Sequence, residues 1–423
     1  MFNRRELHQK LEITFISTYK PTICGISTFN QNIFSAITKI DSSVKANVVA
    51  IDQEDKYNLD PKIPEVIRRI DRDKRQIYTD LAEIINKSTT NIVCLQHEFG
   101  IFGGIGGSYC LDFMERCEKP IVTVFHTLNS NISQINRNIL RKIAEQSDAI
   151  VALLPIYKKY LAKMSKSNRN KRIEFIPHGI PEIQRVNKAA AKSSLDLDNR
   201  MALTTFGLIN PNKGLEYAVE ALPNIVASHP NIVYLILGRT HPNILRTKGD
   251  VYRKKIEKRI QVLGLEDNVR FVNRFLSEDK LSLYLAASDI YIAPYLNPYQ
   301  TSSGCLAYAL AHGMAAISTP YPHSLYEIDE SNGMIVPSRN SHEIAKAVNW
   351  FLDRPIHLAK LQKNTIERMN TRGWPYVAAQ YIDLFKLVLE DKLHEDSLLI
   401  RDNESLDSVD DTKVKHSFQK LAH

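Results

Sequence analysis

The residues best suited to chemistry lie where short apolar runs end and helical patterns begin. Gln300-Thr301-Ser302-Ser303-Gly304 follows the run Asp289–Tyr295 and precedes a helical pattern of small residues. Ser302 or Ser303 can cap that helix, and Gly304 lets a ligand approach its first backbone N–H groups. Free donors at the positive end of a helix dipole suit an anion such as a phosphate. An ordinary crossover with a serine cap reads the same way on these residues alone. Phe206-Gly207-Leu208-Ile209-Asn210-Pro211-Asn212-Lys213-Gly214 is a second such turn. It offers Lys213 as counter-charge for a diphosphate. Leu237-Gly238-Arg239-Thr240-His241 leaves a third run and adds the cation Arg239.

The first half repeats the arrangement with different side chains. Thr18 to Ser27 carries Gly25 just before a helix, with Ser27 as the expected cap; it admits a phosphate or a sugar, and a merely tight turn fits equally well. Gln96-His97-Glu98-Phe99-Gly100 continues through Gly103, Gly104, Gly106 and Gly107. Polar residues at a strand end followed by five glycines read as an adaptable binding loop. His97 and Glu98 point to opposite faces if the strand continues, and further zinc ligands at helical spacing are absent. Phe125-His126-Thr127 ends another run; His126 is either a near-core histidine or a sugar or phosphate contact. Neither GxGxxG nor GxxxxGK[ST] occurs.

These turns must be held by strands. Apolar, β-branched runs occur at Leu11–Ser17, Val48–Ile51, Ile92–Gln96, Ile121–Phe125, Ala149–Leu154 and Ile173–Ile176. After a polar stretch from Glu182 to Arg200, read as a linker, they resume at Ala202–Phe206, Val233–Leu237, Val269–Val272, Ile290–Ala293, Ala315–Ser318 and Met334–Val336. Continuous apolar strands alternating with helices predict parallel sheets covered on both faces. The fold class is α/β, with two doubly wound, Rossmann-like domains facing across a cleft. The expected bounds are 1–190 and 191–370, then a helix over 371–391 and a charged, mobile tail over 392–423.

At 423 residues, with 43% hydrophobic and 24% charged content, the chain has the composition of a globular protein with two or three cores. The first ten residues lack an apolar core, so no signal peptide is expected, and no run is long enough to span a bilayer. Five cysteines without CxxC pairing suit a reducing cytosol. A net charge of +8 favours anionic partners. Nucleic acid is not expected, since aromatic-basic interleaving is lacking. Basic clusters at Arg137–Lys142 and Tyr157–Arg172 read as solvated faces or as a peripheral contact with anionic lipid at the inner membrane surface.

Together these pieces resemble the GT-B glycosyltransferases, specifically the retaining glycosyltransferase family 4, over about Ile13 to Leu389. The matching stretches include Cys24-Gly25-Ile26-Ser27-Thr28-Phe29, Ile176-Pro177-His178-Gly179-Ile180, Gly207…Lys213-Gly214 and the helix after Trp374, which in the family crosses back onto the N-terminal domain. The resemblance implies hexose transfer from a nucleotide-diphosphate sugar to a glycan, glycolipid or glycoconjugate, without metal or other cofactor. It places the donor diphosphate at Gly25, Gly207, Asn210, Lys213, Arg239, Ser303 and Gly304. The acceptor falls to His97, Glu98, Gly103 and Gly104, and catalytic roles to His126 and Gln300.

The family has paired glutamates eight positions apart, facing the donor sugar and ribose; here Gln300 and Tyr308 occupy those positions. Leu208 replaces the usual Arg, with Arg239 and Arg274 as replacement cations. Two other readings use the same residues: a glycoside phosphorylase taking inorganic phosphate, and a non-catalytic sugar- or nucleotide-binding homologue.

Overall fold

The computed structural model describes residues 11–52, 63–129, 131–164, 171–183 and 186–407. The first sheet contains β1 (Glu12–Ser17), β2 (Lys45–Asp52), β3 (Val66–Asp71), β4 (Ile92–His97), β5 (Ile121–Phe125), β6 (Ala149–Ala152) and β7 (Arg172–Phe175). Its order is β3-β2-β1-β4-β5-β6-β7, and every pair is parallel. The second contains β8 (Met201–Phe206), β9 (Ile232–Leu237), β10 (Val269–Val272), β11 (Ile290–Ala293), β12 (Ala315–Ser318) and β13 (Gly333–Ile335). Its order is β10-β9-β8-β11-β12-β13, again parallel. Both orders reverse at a central strand, so the loops leaving β1 and β4 diverge at one switch point and those leaving β8 and β11 at the other. Ligand crevices form at such points.

β3 is the strand that apolar periodicity misses. Its sequence Val-Ile-Arg-Arg-Ile-Asp lies at the sheet edge and buries only Ile70. Edge strands need little apolar surface and carry charge to discourage further pairing.

The linker reading of Glu182–Arg200 is corrected by a helix over Lys188–Ser194. Its Lys188 and Lys192 grip the buried carboxylate of Asp289 at 3.1 and 2.7 Å, and Asp289 also accepts from the amide of Ala202 at 2.9 Å. The charge is buried because it is paired and hydrogen-bonded.

The last helix, Trp374–Asp407, runs on past the expected end at Asp391. Trp374, Val377, Tyr381, Phe385 and Val388 on it join the core under the first sheet with Ile13, Phe15 and Ile33. The chain thus crosses to the second sheet after β7 and returns at Gly373, where Ile180 pairs with the backbone on either side: its amide donates to Arg372 O, and its carbonyl accepts from Trp374 N, both at 3.0 Å. The first half of the expected tail belongs to this helix; residues 1–10 and 408–423, the latter the second half of that tail, lie outside the described residues.

Candidate active site

Loops from both sheets surround a cleft of about 820 Å³. Gly25, Glu98, His126, Thr127 and His178 line it from one side; Lys213, Arg239, Arg246, Gln300 and Gly304 line it from the other. Among the described lining residues Glu98 is the single carboxylate.

Lys213 is positioned by the turn after β8. Asn210 closes that turn, accepting from Asn212 N at 2.9 Å and donating to Leu208 O at 3.2 Å. Lys213 Nζ then reaches back to the Tyr295 hydroxyl at 2.7 Å and lies 4.2 Å from that ring's centre. Gly238, with φ +140°, lets the turn after β9 close on the first: a Cβ there would come within 2.0 Å of Gly207 O. The two turns therefore touch, and Lys213 and Arg239 enter the same cleft. The Nε of Arg239 is buried without a partner.

The Gln300–Gly304 loop is tied down from several directions. Gln300 Nε2 donates to Ser302 O, 3.1 Å. Thr301 Oγ1 binds both the amide and the carbonyl of Leu128, each at 2.8 Å, linking the loop to the opposite sheet. Ser303 caps the helix Gly304–Ala311 by accepting from Leu306 N at 3.2 Å. Its own amide donates to His323 Nδ1 at 2.7 Å. The amide of Ser303 is therefore occupied, and the amides that start the helix and could face an anion are those of Gly304 and Cys305.

On the first sheet, the helix Gly25–Ile40 is capped by Cys24 and not by Ser27: Cys24 Sγ accepts from Ser27 N at 3.3 Å. His126 Nε2 lies 2.7 Å from Gln96 Oε1. With Nε2–H donating to that carbonyl, Nδ1 is the ring's remaining acceptor. Burial holds this imidazole down at about 3, with His178 and His97 adding to the effect, so it is neutral at physiological pH. Glu98 accepts from Phe99 N at 3.0 Å and from Thr127 Oγ1 at 2.5 Å, and burial raises its carboxyl above the usual range against those hydrogen bonds.

Six expected site residues do not line the cleft. His97 is fully buried among Phe99, Phe102 and Phe125, with both ring nitrogens unpartnered. Its strand alternation sends it into the core while Glu98 takes the cleft. Gly103 lies hard against the Arg72 carbonyl, and Gly104 against the Tyr109 ring, so neither lines the cleft. Tyr308 faces the Gly25 helix, where Asn32 Nδ2 donates to its hydroxyl at 2.8 Å, and it borders a different cavity. Gly207 and Asn210 shape the Lys213 turn without lining the cleft, and Arg274 is exposed away from it.

His178 belongs in the site although it was only part of a matching stretch. Its Nδ1–H donates to Gly179 O at 2.6 Å, and a methyl on Gly304 would stand 3.1 Å from its Nε2. It packs edge-on against Phe29, as His126 does, and burial lowers it to about 4. The sequence signal is the one that marked His126: a histidine closing an apolar run.

Two parallel α/β sheets enclosing a cation-lined cleft form the GT-B architecture. Residues 187–368 match the family described as Glycosyl transferases group 1, the retaining family 4 that the sequence resembles, so the protein is a glycosyltransferase. A phosphatidyl-myo-inositol mannosyltransferase of Mycolicibacterium smegmatis is 24% identical over 65% of this chain and 67% of its own. The sucrose-phosphate synthase of Thermosynechococcus elongatus superposes with a TM-score of 0.72 at 18% identity, covering 90% of this chain and 100% of that one. HepE of Anabaena, in complex with UDP and glucose, gives 0.69 at 13% identity, over 88% and 99%.

Proposed function

We propose that the protein moves a hexose, with retention, from a nucleotide-diphosphate sugar to a glycan or glycoconjugate acceptor. The observation that carries this is the convergence of Lys213, Arg239 and the start of the Gly304 helix on a cleft with one carboxylate. Lys213, Arg239 and the Gly304 and Cys305 amides stabilise the departing diphosphate, the work a metal ion does elsewhere. As the glycosidic bond lengthens, the sugar becomes oxocarbenium-like. The acceptor hydroxyl attacks from the face the diphosphate leaves, and a phosphate oxygen takes its proton. Gln300 exchanges hydrogen bonds with donor sugar hydroxyls. Neutral His126 and His178 offer ring acceptors to hydroxyls without adding charge, and Glu98 with Thr127 faces the acceptor. Closure of the two sheets excludes water.

Mannose is the first sugar to test, because curated relatives are named as mannosyltransferases. Those names also make a phosphoinositide-type lipid a candidate acceptor, with the protein seated peripherally on an anionic membrane. Several basic residues of the expected contact already have internal partners: Lys158 pairs with Glu174, Lys171 binds the carbonyls of Ala144 and Glu145, and Arg172 pairs with Asp391. Residues 165–170 of that cluster lie outside the described residues. Salt-sensitive flotation with anionic liposomes supports a membrane seat, and its absence removes it.

The test of the main proposal is a thermal-shift screen with UDP, GDP, ADP and their common sugars. At least one should raise the melting temperature. No stabilisation at millimolar concentration overturns the donor reading.

A further inference from the structure

The contact from the Ser303 amide continues inward through ionisable side chains that no transfer step uses. His323 and Glu327 stand on the helix Pro322–Glu327, each 2% exposed. His323 takes the Ser303 N–H at Nδ1, 2.7 Å away, so in its neutral form the ring proton resides on Nε2. That nitrogen faces Glu327 Oε1 at 3.4 Å. The same oxygen accepts from Arg372 Nη1 at 2.9 Å, while Glu327 Oε2 is buried without a partner. Arg372 is the residue whose carbonyl receives Ile180 N where the chain passes between the sheets. Two positions before Ile180, His178 stands against Gly304. The circuit therefore closes: loop, His323, Glu327, Arg372, crossover, His178, loop.

We propose that His323 and Glu327 are positioning residues that hold the start of the Gly304 helix in register with the crossover between the two sheets, and thereby set the donor diphosphate site. Neither side chain lines the cleft, so neither touches the ligand. Their effect runs through one backbone amide. Holding the Ser303 N–H inward fixes the Ser302–Ser303 peptide plane, one residue before the Gly304 amide, and so limits where the next two amides can point. Glu327 Oε1 faces Nε2 at 3.4 Å and so orients the imidazole, and although burial raises its carboxyl, the contacts with His323 and then Arg372 outweigh that and hold it below the usual range. A displaced Arg372 would carry the crossover with it, so loop placement and sheet placement are coupled.

The inference rests on the donor reading above, and the experiment separates the two. The amide oxygen of Asn stands near the place of imidazole Nδ1; that of Gln stands nearer Nε2. We compare His323→Asn, His323→Gln and His323→Leu with the wild-type protein. Affinity is measured by calorimetry for whichever of UDP, GDP or ADP binds the wild type best, and hydrogen exchange is followed over residues 298–308. His323→Asn should bind within about threefold of wild type, whereas His323→Gln and His323→Leu should bind about tenfold more weakly, the loss expected when a buried amide is left unsatisfied, with faster exchange in that segment. His323→Leu can lose its fold; the Asn and Gln pair still decides, since both are polar and differ in where the acceptor sits. Equal affinity for the Asn and Gln variants overturns the positioning role while leaving the donor site standing. Failure of the wild-type protein to bind any nucleoside diphosphate overturns both.

Discussion

Lys213 shows how little of a site residue's role lies in its own type. A lysine in a loop is ordinarily a solvated charge, but here its ammonium is laid along the Tyr295 ring and anchored on that hydroxyl at the floor of the cleft. Lys213→Ala should weaken nucleoside diphosphate binding by more than roughly tenfold, since a charge-assisted contact is removed. Its melting temperature should stay near wild type; calorimetry checks the first point and thermal denaturation the second. His97 makes the opposite case. Its imidazole is held at about 3 by burial, below the ordinary 6.5. Between those values the unfolded chain takes up a proton that the folded chain refuses, so stability falls as pH drops through that window. Each such histidine contributes up to about 1.4 kcal/mol per pH unit, and His126 and His178 add to the same slope. His97→Phe should flatten the dependence of melting temperature on pH between 6.5 and 5. It should also stabilise the protein by about 1 kcal/mol at pH 7, because two buried, unpartnered nitrogens disappear. Nucleotide affinity should not change; a loss of binding would return His97 to the site.

At the scale of elements, the site is a meeting of strand-to-helix turns, and the backbone decides how closely they meet. The turns after β8 and β9 touch because Gly238 adopts a conformation and a proximity that a Cβ would forbid. Gly238→Ala should therefore cost about 2–3 kcal/mol, through strain at positive φ and a clash with Gly207 O. It should weaken diphosphate binding as well, by moving Arg239 away from Lys213. Denaturant titration and calorimetry on the same variant check both. Wild-type stability would show that the turn relaxes freely. The helix starts taught a second lesson. A serine within the first turn of a helix is a strong capping signal, yet at the Gly25 helix the sulfur of Cys24 takes the amide instead. Ser27, the expected cap, instead lies buried inside the first turn, and its own amide is the one that Cys24 takes.

At the scale of the whole molecule, the side-chain hydrogen bonds that tie the two sheets are ones that no local pattern reveals. Thr301 bonds the backbone of Leu128 at the cleft, and Tyr308 accepts from Asn32 behind it. Tyr308 stands where the resemblance puts a ribose-facing glutamate, and its hydroxyl accepts from Asn32 across the two sheets. Tyr308→Phe should leave nucleotide affinity within about twofold, where loss of a real ribose contact would cost about tenfold. It should cost about 1 kcal/mol of stability, the net worth of one hydrogen bond. A tenfold fall in nucleotide affinity would restore the ribose role.

Periodicity was enough to determine two parallel α/β sheets, because a strand buried on both faces must be apolar throughout. Among the described residues twelve of the thirteen strands follow from it, the polar edge strand β3 being the exception. Turn chemistry was enough to bring forward Lys213, Arg239, Gly304, His126 and Glu98 as candidates, and all five line the one cleft. Pairings between residues far apart in the chain lay beyond it. That His97 turns inward while Glu98 turns outward, that Ser303 spends its amide on His323, and that Tyr308 meets Asn32 are consequences of which surfaces face each other. Those choices are made by packing at separations no local pattern encodes, and only the tertiary structure decides them.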